Sequence, residues 1–174
     1  MQIHLFAVHA FVVGAVLSAM STLGGVPAYA AIPGYPDPAD VKLVASCLAD
    51  AAQANADPDT CIGRLSGDCI SKAEKPGPAK LAEECSNREF LVWDAALNRD
   101  YDRLTMLLAD ANLKQALRDA QRDFFVSELK QCTFERLLLK DSPEALAAAA
   151  RCKVRSTARQ DFWLTDQIKA LGPH

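Results

Sequence analysis

The sequence predicts an all-α fold, a disulfide-stapled bundle of about four main helices. Three observations carry that expectation. Apolar residues recur at steps of three and four through most of the chain. No alternating Val/Ile/Thr run bounded by turn residues marks a strand. Six cysteines, an even number, follow an N-terminus of secretory type.

The elements follow in chain order. Met1 to Ala30 holds no Asp, Glu, Lys or Arg, runs nearly unbroken in apolar residues from Ile3 to Leu23, and ends in Ala28-Tyr29-Ala30. That pattern predicts a signal peptide over 1–30, cleaved after Ala30. His4 and His9 stand where Lys or Arg is usual, so an uncleaved anchor is the alternative. No cysteine follows the cleavage site closely, which argues against a lipoprotein anchor. Residues 31–40, with Pro33, Gly34, Pro36 and Pro38, read as a flexible tether. Residues 41–171 are left as the helical domain.

A first helix is expected from Pro38 to about Asn55, with Val41, Val44, Cys47 and Leu48 on one face. Asp57-Pro58 restarts the chain as a cap followed by proline. A short helix then carries Cys61, Ile62 and Leu65, and Gly67 is expected to end it. Lys75-Pro76-Gly77-Pro78 reads as a loop. Ser86 and Glu89 have capping-box spacing and are expected to open the next helix. Its stripe is Phe90, Trp93, Leu97, Tyr101, Leu104 and Leu108. Asn112 with Gln115 is the expected start of a further helix holding Leu113, Leu117, Ala120, Phe124 and Leu129, although a continuous helix through Ala111 fits equally. Asp141-Ser142-Pro143-Glu144 starts the last helix, which reaches about Ala170 before Gly172-Pro173. Its apolar positions are Leu146, Ala150, Val154, Ala158, Phe162 and Ile168.

Composition excludes several kinds of function. The chain has 174 residues and a net charge of −3, which rules out a strongly basic nucleic-acid binder. Once His4 and His9 leave with the signal, only His174 remains. No Ser-His or Cys-His pair has a base, and His-ligated metal sites lose their usual ligand. No cofactor is expected. Glycosidase chemistry needs two convergent carboxylates. Glu83, Glu84, Glu89, Asp94 and Asp100 read instead as ordinary acidic helix surface, so no catalytic residue is assigned.

Cys47, Cys61, Cys69, Cys85, Cys132 and Cys152 read as three disulfides, out of 15 possible pairings. Seven residues separate the closest two in sequence, too many for a zinc knuckle, so no metal site is expected. Consecutive pairing, Cys47–Cys61, Cys69–Cys85 and Cys132–Cys152, is favoured. Cys61–Cys69 with Cys47–Cys85 is the alternative.

Two motifs carry a family resemblance. One is Glu89-x3-Trp93-Asp94-x-x-Leu97-Asn98-x-x-Tyr101-x-x-Leu104. The other is Ala116-Leu117-Arg118-x-Ala120-Gln121-Arg122-x-Phe124. With Cys69, Cys85, Cys132, Cys152 and Thr157 around them, the stretch from about 60 to 170 resembles the LprI-like family of exported bacterial helical proteins, named after a lysozyme inhibitor. The chain departs from the family pattern at four places. Phe124 stands where Trp is frequent, Glu128-Leu129 where Arg-Asp is usual, and Gln160 where an Arg is usual three residues after the Thr.

The resemblance implies a non-enzymatic binding protein, periplasmic or secreted, that inhibits lysozyme or a related muramidase. A net acidic protein would be drawn to a cationic lysozyme, chiefly through its on-rate. The alternative is an envelope structural or assembly protein bound to another envelope component. No nucleic-acid partner is expected, and no stable membrane insertion once the signal is cleaved. Glu89, Trp93, Asp94, Asn98, Tyr101, Arg118, Gln121 and Arg122 are the candidate polar network or binding surface. Asp94 and Asn98 share a helix face and could meet Arg118 or Arg122 from a facing helix. Phe162 and Trp163 are adjacent on one helix and cannot both point inward, which makes them a candidate partner contact. Arg151, Lys153, Arg155 and Arg159 read as a solvated basic face, with anionic envelope polymers or phospholipid headgroups as the alternative contact.

Overall fold

A computed structural model describes residues 34–73, 79–140 and 142–172. The expected signal peptide, its cleavage site, the first three residues of the tether (31–33) and the Lys75–Pro78 loop lie outside the described residues. Helix α1 spans Pro38–Gln53, a 3-10 turn spans Pro58–Cys61, and α2 spans Arg64–Ser71. Three long helices follow: α3 (Ala79–Leu107), α4 (Ala111–Leu138) and α5 (Glu144–Ala170). No strand occurs among the described residues. The expected all-α, disulfide-stapled bundle is what forms, with four main helices and the shorter α2 beside them.

Aspartates start three of these elements. Asp37 accepts from Ala39 N at 2.7 Å and precedes Pro38, so α1 already occupies the last three residues of the expected tether. Asp57 accepts from Asp59 N at 2.9 Å in the same arrangement before Pro58. Asp110, and not Asn112, caps α4 by accepting from Asn112 N and Leu113 N.

Other expected boundaries are corrected. Gly67 sits inside α2, because Gly63 supplies the break before it: its φ of +85° is left-handed backbone that an L side chain resists. Ser86 does not open a helix. It lies seven residues into α3, where its hydroxyl donates to Ala82 O at 2.7 Å, and Glu89 is turned to another use. Helix α5 starts at Glu144, within the expected Asp141–Glu144 segment, with Pro143 at its cap position and no side-chain cap bond; Asp141 lies outside the described residues. Leu113, Leu129 and Leu146, read as apolar positions of their helices, are more than half exposed.

Helix α5 is central. Asp100 on α3 meets Thr165 on α5, and Trp93 meets Phe162, so contacts advance together and the two helices run parallel. Gln121 meets Gln160, Glu128 meets Thr157, and Glu135 meets Arg155, so α4 runs antiparallel on another flank of α5. Buried Ala147, Ala148, Ala150 and Ala158 keep the surface of α5 low and let its neighbours approach. Two apolar clusters result. Val44, Leu65, Val92, Trp93, Val154 and Ala158 join α1 and α2 to the α3–α5 pair. Leu97, Leu104, Leu117, Leu164 and Ile168 close the other end. Each large buried side chain contributes about 1.5–3 kcal/mol.

The disulfides are Cys47–Cys61, Cys69–Cys85 and Cys132–Cys152, closing sequence separations of 14, 16 and 20 residues. They tie α1 to the 3-10 turn, α2 to α3, and α4 to α5. The described core and all three disulfides lie within one compact unit, Ala31–His174.

Candidate functional site

The motif residues divide into an interior set and a surface set. Glu89 is fully buried on α3. Its carboxylate accepts from Gly63 N at 2.7 Å, Ser66 N at 2.8 Å and Trp93 Nε1 at 3.0 Å. The first two donors are the unpaired amides at the N-terminus of α2, where the helix dipole also favours a negative charge. Glu89 therefore caps α2 from a distance and fixes the Trp93 ring, whose other side meets Phe162 edge-on at 5.4 Å. Nearby, buried Asp40 on α1 takes both arms of Arg88. Glu89 and Trp93 are thus not available to a partner, and Tyr101 packs half-buried against the second cluster.

Asp94 and Asn98 do share a face of α3. Asn98 Nδ2 donates to the Asp94 backbone carbonyl at 2.8 Å. Arg118 and Arg122 do not cross to them. Arg118 donates to Gln115, and Arg122 pairs with Asp119 and Asp123, all within α4. Gln121 is the motif residue on α4 that reaches across, accepting from Gln160 Nε2 at 3.1 Å. Two of the departures from the family pattern are thereby accounted for. Gln160 bonds Gln121 in place of the usual Arg, and Glu128 accepts from Thr157 Oγ1 at 3.0 Å.

Glu128 completes an acidic seam between α3 and α4. Burial raises its carboxyl above the ordinary value, while the Thr157 bond and Lys153 oppose this and the Asp94 charge adds to it. Burial likewise raises Asp94, against the bond from Asn98.

Phe162 and Trp163 separate as adjacent helical residues must. Phe162 turns to Trp93, and Trp163 is 41% exposed. Trp163 lines a groove of about 440 Å³ between α4 and α5, with Phe124, Glu128, Gln131 and Gln160. Arg155 and Arg159 also line it, held by Glu135 at 2.7 Å and by Asp59 at 2.7 Å. A wider concavity of about 730 Å³ lies between α1 and α2 and contains none of the motif residues.

One pair was not singled out from sequence. Asp100 and Asp161 lie 61 positions apart and meet across α3 and α5, and no spacing rule joins them. Although burial opposes it, the forked pair with Arg99 holds Asp100 below the ordinary carboxylate value. Burial, and then the charge of Asp100, pushes Asp161 up to about 7. One oxygen of Asp161 is buried without a hydrogen-bond partner, and a side-chain hydrogen bond with Asp100 raises the Asp161 carboxyl further. No group of three metal-ligating side chains is assembled among the described residues.

Compared with known protein families, residues 69–163 match the family described as Lysozyme inhibitor LprI, which is more than half of the chain. The chain belongs to the LprI family. No curated protein and no solved structure matches it. The LprI match begins at Cys69 and ends at Trp163, so it takes in Glu89, the acidic seam, the Gln121–Gln160 bond and the aromatic groove. Helix α1 and the Cys47–Cys61 disulfide lie outside the matched segment.

Proposed function

We propose that this protein is an exported, non-enzymatic inhibitor of lysozyme or a related muramidase. The LprI family match over residues 69–163 is the observation that carries the reading. The net charge of −3 is compatible with attraction to a cationic enzyme. Export rests on the same membership and on the secretory pattern of residues 1–30.

The contact surface we assign is the α4–α5 groove around Trp163. Trp93 and Glu89 are committed to the interior, whereas Trp163 presents a large ring at a groove rim. A half-exposed aromatic beside polar side chains is the usual make-up of a binding anchor. Asp94 and Asn98 on α3 form the secondary contact. The test is affinity for a panel of lysozymes, measured by calorimetry with residues 31–174 and intact disulfides. Trp163→Ala should weaken binding at least tenfold with an unchanged circular dichroism spectrum, while Met106→Ala, on exposed surface away from the groove, should not. Equal affinity for both variants would remove the groove from the account. Absence of binding to every enzyme in the panel would remove the inhibitor reading and favour an envelope partner.

A further inference from the structure

We infer that the tip of the α4–α5 hairpin docks on the surface of an anionic phospholipid bilayer, with Leu137, Leu138 and Leu139 seated at the headgroup boundary. The tip is more apolar than a monomer's surface needs to be. Leu137 is 60% exposed, Leu138 63% and Phe134 61%, and Leu139 and Leu146 at the two helix ends are exposed as well. At roughly 100 Å² each, these five side chains present about 500 Å² of apolar surface, the upper end of what a soluble monomer leaves bare. Packing does not require them, because the core face of α4 is made by Leu117, Gln121 and Cys132.

Charge selects the occupant. Residues 129–155 carry six basic and three acidic side chains, in a chain whose net charge is −3. Arg136 and Lys140 bracket the three leucines, Lys130 lies two turns below them, and Arg151 follows on α5. All four are exposed, and none forms an ion pair among the described residues. Glu135 is engaged by Arg155 at 2.7 Å. Leucines between cations suit a surface that is negative outside and apolar beneath, where Lys and Arg reach phosphates while the aliphatic tips sink below them. A second copy would bring the same positive charge against itself, and a cationic lysozyme would be repelled. The Cys132–Cys152 bond joins α4 to α5 behind the tip. No described helix is long and apolar enough to cross a membrane, so contact is confined to the interface.

The test is flotation of residues 31–174 with vesicles of equal parts phosphatidylglycerol and phosphatidylcholine, against vesicles of phosphatidylcholine alone. Binding is expected to the anionic vesicles and to fall steeply with salt. Arg136→Ala and Lys140→Ala should each weaken it about fivefold. Leu137→Glu with Leu138→Glu should weaken it more than tenfold. Met106→Glu, 76% exposed on α3 and away from the tip, should leave it unchanged. All variants should keep the wild-type circular dichroism spectrum, since each replaced side chain is exposed. Three results would each overturn the inference: no binding to anionic vesicles, equal binding by the leucine double variant, or a concentration-dependent dimer abolished by that double variant. The vesicle readout is independent of lysozyme, so it stands or falls apart from the inhibitor reading.

Discussion

Glu89 shows how one buried charge can organise several elements. A carboxylate taken out of water is costly unless donors replace the water. Here three donors do so, two of them at the start of α2 and one from Trp93. Glu89→Gln puts an amide NH₂ opposite at least one of those N–H groups. We predict a loss of about 2–3 kcal/mol, read as a lower urea midpoint at unchanged slope. Asp161 makes the opposite prediction in sign. Its folded pKa, about 7, lies above the unfolded value. The folded state therefore holds a proton that the unfolded chain has released, and stability falls as pH rises from about 4 to about 7. Asp94 and Glu128 are raised as well and push the same way, while Asp100, lowered by Arg99, pushes the other way at acid pH. Asp161→Asn mimics the protonated acid. It should stabilise the protein by roughly 1–2 kcal/mol at pH 8 and by much less at pH 5, measured by thermal unfolding at both values. An equal effect at the two pH values would show that Asp161 does not hold the proton.

At the scale of elements, α4 is held to α5 by a ladder of side chains: Gln121 to Gln160, Glu128 to Thr157, Cys132 to Cys152 and Glu135 to Arg155. Replacing Cys132 and Cys152 with Ser removes the covalent rung. The bond closes 20 residues, so the expected cost is about 3 kcal/mol, read as a lower denaturation midpoint. Much of this layer was legible in the sequence. Asp57-Pro58 announces its element because cap and proline act locally, and cysteine order favoured the pairs that form. The Ser86–Glu89 spacing misled for an equally physical reason. A capping box and a helical i, i+3 pair have the same spacing, and only the distant α2 amides show which use Glu89 serves. Leu113, Leu129 and Leu146 fit helical periodicity yet lie outside the core, because periodicity does not say which of two apolar faces meets a neighbour.

At the scale of the whole molecule, the acidic chain divides its charge unevenly. The α4–α5 tip is basic and apolar, while the Asp94–Glu128 seam is acidic. Such a division allows one small protein to rest on an anionic surface and face a cationic partner with its remaining surface. The family motif in the sequence led to this fold and to the inhibitor reading. It could not lead to Asp100 beside Asp161, or to the bare tip, because both depend on which helix lies against which. Lysozyme inhibition remains the claim on which the functional account turns. Its most direct test is a titration of residues 31–174, disulfides intact, into a lysozyme cell-wall lysis assay at constant enzyme. The account predicts saturable inhibition near one inhibitor per enzyme, weakening as salt rises. Undiminished lysis by several lysozyme classes at a large excess of folded protein would contradict it.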